Sequence, residues 1–390
     1  MIRFKHYLKL VCEGGAAGHM WHPFDISAES PDGAFMKDAV ELPTVKTGKD
    51  LIAIFNKSVE SLQKAPGSVK IDGVNASIRL AYADEGEVRF AMDRGSMKLL
   101  DTSGVTSDKL AERFPSSPDG PPHGMVEAGS KVLEIFNTAL PYIESELKTL
   151  NMYKNIGMFG RFFDMEYVTG GGDTANVLQY SNNFLAIHGV KQFKKKVSPK
   201  LGSVSRGSEN TDYDKKAIQS LIDKVNPIAA KRGFKLFGLV PTHTVGNIDF
   251  TNTLNTEFAV YLDEGHVQTQ TLATWLESAK HPGSARIKFS DGKDQGAMSK
   301  AVYLAILNRE QPLVQLIPNE THQKLAIDGA VLYHATRMLG NDVLNGLSSP
   351  LGTLTDHEGV VIDDKSISHK PFKITGEFIV TGMTSKHQQK

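Results

Sequence analysis

Val69-Lys70-Ile71-Asp72-Gly73-Val74-Asn75-Ala76-Ser77-Ile78-Arg79 is the stretch on which the architecture of this chain turns. Apolar residues flank an Asp-Gly pair, a combination that commonly turns the backbone between two strands. On that reading the segment is a surface hairpin. The spacing Lys-x-Asp-Gly-x-Asn also has a chemical reading. A lysine that loses its proton, through burial or nearby cations, becomes a nucleophile. Gly73 then lets the backbone turn sharply beside a charged ligand. Segments elsewhere in the chain separate the two readings.

On either side of this stretch the periodicity is clear. Leu51-Ile52-Ala53-Ile54-Phe55 and Leu62 predict an amphipathic helix ahead of the lysine strand. Ala76 to Ala83 and Val88 to Met92 read as an antiparallel pair of strands across Asp84-Glu85-Gly86-Glu87. Pro115 to Pro122 is too rich in proline and glycine for regular structure. Val132 to Leu150 reads as a helix interrupted at Pro141. Ile218, Leu221, Ile222 and Val225 recur at helical spacing, and Phe234 to Val240 reads as a strand closed by Pro241. Ala301 to Leu307 and Leu325 to Leu347 carry apolar helical stripes.

Four further segments come in order along the chain. They are Phe163-Asp164-Met165-Glu166-Tyr167-Val168, Asn183-Phe184-Leu185-Ala186-Ile187-His188, Glu358-Gly359-Val360-Val361-Ile362 and Pro371-Phe372-Lys373-Ile374-Thr375-Gly376-Glu377-Phe378. With the opening motif they resemble the ordered motifs of the covalent nucleotidyltransferase superfamily: ATP-dependent DNA ligases, RNA ligases and mRNA-capping enzymes. The resemblance implies that Lys70 is the catalytic nucleophile, attacking the α-phosphate of a nucleoside triphosphate to form a phosphoramidate. It implies nucleotide contacts from Asp72, Gly73, Asn75, Arg79, Glu166 and Lys373, with Phe184 stacking on the purine. Asp93-Arg94-Gly95-Ser96 matches a short ligase segment in which Arg94 touches ribose or acceptor phosphate. Glu358 and Glu166 would hold a divalent metal, Mg²⁺ or Mn²⁺, which takes oxygen ligands and phosphates. Two departures stand out. Met165 occupies a place where many members have glycine, and Thr375 replaces the second lysine of the last motif.

Asn75 leans the resemblance toward RNA ligases, closest to the phage type, because DNA ligases and capping enzymes commonly carry arginine there. Only a dozen residues follow Phe378, too few for the barrel domain of DNA ligases. The expected fold is α+β: a nucleotidyltransferase, ATP-grasp-like ligase core of antiparallel sheets flanked by helices, with a mainly helical insertion. The expected division is an N-terminal arm over 1–50, core over 51–190, inserted subdomain over 191–350, and last core strands over 351–390. The insertion opens on Lys191, Lys194, Lys195, Lys196, Lys200 and Arg206. That run is either a solvated loop or a phosphate-binding patch whose affinity would fall with salt.

Lysine plus arginine and aspartate plus glutamate number 44 each in 390 residues. No global basic field advertises nucleic acid, so any binding comes from a local patch. The single cysteine, Cys12, excludes an internal disulfide and points to a reducing compartment. No apolar run approaches the ~20 residues of a membrane helix. The expectation is a soluble cytoplasmic protein, in the host cytoplasm if phage-encoded, with ATP as cofactor and nucleic acid as partner, RNA before DNA. His19 and His22 stand three apart before Pro23, where a packed loop is favoured over a metal site. Phe4-Lys5-His6-Tyr7-Leu8, followed by the turn Gly14-Gly15-Ala16-Ala17-Gly18 and His22-Pro23-Phe24-Asp25, also resembles the openings of large tailed-phage proteins. Three other readings stay open: a DNA ligase, a degenerate phage relative serving as a structural or nucleic-acid-binding protein, and a transferase that passes its nucleotide to a protein or cap.

Overall fold

The computed structural model describes residues 20–28, 42–71, 73–83, 86–93, 104–115, 124–156, 159–168, 182–197, 204–238, 242–263, 266–308, 311–347 and 358–376. They form an α+β protein of two compact units, and the chain passes from one to the other between Lys70 and Ile71. In chain order the strands and main helices are α1 (Gly48–Lys64), β1 (Gly67–Lys70), β2 (Val74–Tyr82), β3 (Val88–Asp93), α2 (Gly124–Thr149), β4 (Arg161–Val168), β5 (Asn183–Val197) and β6 (Val204–Asn210). Next come α3 (Lys215–Ala230), β7 (Phe234–Gly238), β8 (Thr242–His243), β9 (Glu257–Asp263), β10 (His266–Thr271), α4 (Leu272–Ser278), β11 (Arg286–Lys288), β12 (Asp294–Gly296), α5 (Lys300–Leu307), α6 (Glu320–Asn345), β13 (Gly359–Ile362) and β14 (Phe372–Ile374).

One unit holds a six-stranded sheet of order β3-β2-β4-β5-β6, antiparallel throughout, with β7 joining β5 in parallel. Strand alternation explains its two faces. Ala76, Ile78 and Leu80 of β2 and Phe163, Met165 and Tyr167 of β4 point to a core completed by α2 and α3. Asn75 and Asp164, then Glu166, fall on the opposite face. Helix α2 runs unbroken through Pro141, where the sequence predicts an interruption. The ring costs about 3 kcal/mol in a helix interior. Against that, Val132, Phe136 and Ala139 on one side of it and Ile143 and Leu147 on the other are all buried.

The second unit carries the sheet β14-β13-β1-β8. Its core gathers α1, α4, α5 and α6 with Phe372 and Ile374. Thr47 and Asp50 cap α1 reciprocally, the Thr47 N–H donating to the Asp50 carboxylate at 2.8 Å. Trp21 bridges to Phe372 in parallel at the sheet edge, so the described part of the expected 1–50 arm is built into this unit. The expected boundary at 190/191 falls inside β5, which runs straight through it. Residues 191–238 extend the first sheet, whereas 242–347 pack with 42–70. The described part of the stretch 191–350 is therefore divided between the units and contains strands as well as helices, because partners distant in sequence decide which sheet a strand joins. Among the described residues no helix is long and apolar enough to cross a membrane.

Candidate functional site

Lys70 ends β1, paired across from Gly359 of β13. The Glu358 N–H continues that ladder by donating to the Lys70 carbonyl at 2.8 Å. β14 pairs with β13 on its other edge, Lys373 opposite Val361. Three strands distant in sequence thus bring Lys70, Glu358 and Lys373 together. The Lys70 Nζ lies 3.1 Å from Glu358 Oε2, and Lys373 Nζ donates to Glu358 Oε1 at 2.5 Å. Glu358 is nearly buried, at 7% exposure, between two ammonium groups of 19% and 17%. A carboxylate so placed is held by charge-assisted hydrogen bonds that survive where water is scarce. Gly359 makes the approach possible, since a Cβ there would lie 2.0 Å from the Ile374 carbonyl oxygen.

Thr375, where the resemblance leads one to expect a second lysine, is buried, and its Oγ1 has no hydrogen-bond partner among the described residues. Lys370 does not compensate: its Nζ sits 5.2 Å above the Trp21 ring, outside the lysine–glutamate cluster.

A second polar cluster occupies the sheet of the first unit. Asn75 Nδ2 donates to Asp164 Oδ1 at 3.1 Å, Lys191 Nζ reaches Asp164 Oδ2 at 2.6 Å, and His188 Nε2 meets Glu166 Oε2 at 2.9 Å. Burial alone would raise the Asp164 carboxyl. The charges of Lys191 and His188, with hydrogen bonds from Lys191 and Asn75, outweigh it and hold the group below the usual carboxylate value. Phe184 is buried on the face that carries Glu166, apart from the side chains packed on α2 and α3. The sequence reading gave no role to Asp164 or His188, and read Lys191 only as part of a solvated loop or phosphate-binding patch, where the structure places it in β5 paired to Asp164. The signal was present in strand alternation, which sets Asp164 beside Glu166.

Arg79 differs from expectation. It is fully buried in β2, its guanidinium 5.2 Å from the Phe193 ring centroid, so it supports the sheet and presents no surface to a nucleotide. Asp72 and Arg94 lie outside the described residues, as does His19. Among the described residues no three His, Cys, Asp or Glu side chains converge on a metal-sized site. Both oxygens of Glu358 are engaged by ammonium groups, so this carboxylate is arranged as a counter-ion and does not fit the expected role of metal ligand. A scan against protein-family models finds no match to this chain, and searches of curated proteins and of solved structures find none either.

Proposed function

We propose that the chain is an ATP-dependent, RNA ligase-like nucleotidyltransferase with Lys70 as the nucleophile, built on a nucleotidyltransferase-type fold. One observation carries the reading. Three residues singled out by ordered motifs, Lys70, Glu358 and Lys373, share one nearly buried cluster. In the proposed step the neutral Lys70 amine attacks the α-phosphorus of ATP, a P–N bond forms, and the P–O bond to pyrophosphate breaks. The Lys70 proton must leave Nζ, and Glu358 Oε2 at 3.1 Å stands within reach to accept it. Lys373 supplies fixed positive charge against the negative charge that builds on phosphoryl oxygens. Transfer of AMP to a 5′-phosphate end and its displacement by a 3′-hydroxyl would complete joining. Glu166 and Phe184 keep, as part of the proposal, the nucleoside contacts that the resemblance gives them.

Buried Thr375 and buried Arg79 favour a second reading, a relative that retains the fold but binds nucleic acid without nucleotide transfer. Incubation of the purified protein with each α-labelled nucleoside triphosphate and Mg²⁺ or Mn²⁺, followed by acid quench and intact mass, separates the two. A nucleotide adduct that disappears in both Lys70→Ala and Lys70→Arg is the expected result, since guanidinium stays protonated and cannot attack. Folded protein that carries no preloaded nucleotide and takes none would overturn the first reading in favour of the second.

A further inference from the structure

Strands β4 and β5 do not stay in simple register. Met165 pairs with Ile187 while Asp164 pairs with Gly189, which leaves His188 as the extra residue of a β-bulge. The core shows the same step: Leu185 and Ile187 point toward the helices before it, and Val190 after it. A bulge re-aims a side chain, and such irregularities concentrate beside functional sites. His188 lies at this step on the face of Phe184 and Ala186, and its ring meets Glu166 at 2.9 Å, the two side chains 24% and 7% exposed. With Glu166 as the carboxylate its oxygen only accepts, and Nε2 is then the donor. The charged groups around the ring are Glu166 and Asp164 of β4, with Lys191 of β5 paired to Asp164.

Glu166 is held from the other side as well. Its Oε1 accepts the Gly73 N–H at 3.3 Å. A Cβ on Gly73 would lie 2.8 Å from Glu166 Cγ and 2.9 Å from the Tyr167 carbonyl oxygen, so the turn is pressed directly onto β4. Gly73 stands three residues after Lys70 in the chain.

We propose that His188 is a positioning residue: it locks Glu166, and through Glu166 the Gly73 turn that comes after the nucleophile. The proposal rests on the nucleotidyl-transfer reading above. His188 acts through Glu166, so its loss lowers the rate of transfer, and any loss of nucleotide affinity stays within that of Glu166→Ala. A lost hydrogen bond to a charged, positioned group corresponds to a fall of about tenfold or more in that rate.

The test is single-turnover transfer of labelled nucleotide to Lys70 in the full chain, comparing wild type, His188→Ala, His188→Gln, Glu166→Ala and the double alanine variant, with a thermal melt of each. His188→Ala is expected to lower the maximal rate, and any rise in the nucleotide concentration giving half that rate stays within the rise seen for Glu166→Ala. His188→Gln, whose amide can still donate, recovers most of the rate. In the Glu166→Ala background the histidine substitution has no further effect. A rate for His188→Ala equal to wild type overturns the proposal. So does a loss that adds to that of Glu166→Ala, or one that glutamine does not rescue and that tracks the melting temperature. If wild-type protein takes no nucleotide on Lys70, this proposal and the reading beneath it fall together; wild-type labelling without a histidine effect sinks this proposal alone.

Discussion

Glu358 is the residue on which the chemistry of the second unit turns. It sits between Lys70 and Lys373 and contacts both. Removing a carboxylate from between two nearly buried ammonium groups leaves them facing each other, which is why such clusters are sensitive to loss of one member. Thr375 offers a sharper single-residue test. Its buried hydroxyl lacks a partner among the described residues, and an unsatisfied buried polar group costs about 1–3 kcal/mol. Thr375→Val is therefore expected to raise stability by about 1 kcal/mol, read from denaturant melts. Thr375→Lys, which introduces the residue common at this place in the family that the motifs resemble, is expected to lower it by burying an unpaired ammonium. A stable Thr375→Lys protein with faster nucleotide transfer would overturn the view that the fold has closed this position.

Between elements, the clearest electrostatic tie joins α2 to α3. Glu146 accepts from Ser220 and Ser145 and pairs with Lys224 at 2.6 Å. Burial by itself would raise its carboxyl. Hydrogen bonds from Lys224, Ser220 and Ser145 prevail and bring it from the ordinary 4.5 down to about 2. The folded state thus favours the carboxylate more than the unfolded chain does. The stabilisation is present in full above the unfolded value and is lost as pH falls from there toward about 2. Glu146→Gln is expected to destabilise the protein at pH 7 and to flatten the acid limb of its stability curve. Melts of both proteins from neutral pH down to pH 3 check it, and parallel acid limbs would contradict it. The bulge at His188 belongs to this scale too: the extra residue in β5 shifts the core-facing positions from Leu185 and Ile187 to Val190, and no single-residue property reveals it.

At the scale of the molecule, each unit has its own apolar core, one between the six-stranded sheet and α2 with α3, the other around α1 and α6. A unit with its own core is able to unfold separately. Phe136 is fully buried in the first core, and its truncation to alanine costs about 3–5 kcal/mol. Scanning calorimetry of Phe136→Ala is expected to lower one transition and leave another in place. A single transition that shifts as a whole would show the units to be one cooperative body.

Local sequence was enough for the α+β class, the helix before Lys70, the hairpin of β2 and β3 and the helical stripe of α3, because periods of 3.6 and 2 are local properties of a chain. It also placed Lys70, Glu358 and Lys373 in ordered motifs. The strand over Phe234–Gly238 and the helices over Lys300–Leu307 and Glu320–Asn345 were legible too, and what waited on packing in three dimensions was the assembly of these elements. The division of 191–350 between two units depends on which sheet each strand joins, a choice made by partners distant in sequence. Arg79 became a buried support and Thr375 an enclosed hydroxyl because burial is set by what packs on top of a residue, not by its own side chain. The contacts of His188 with Glu166, and of Lys70 and Lys373 with Glu358, exist only once strand register is fixed, and register is a property of pairs of strands.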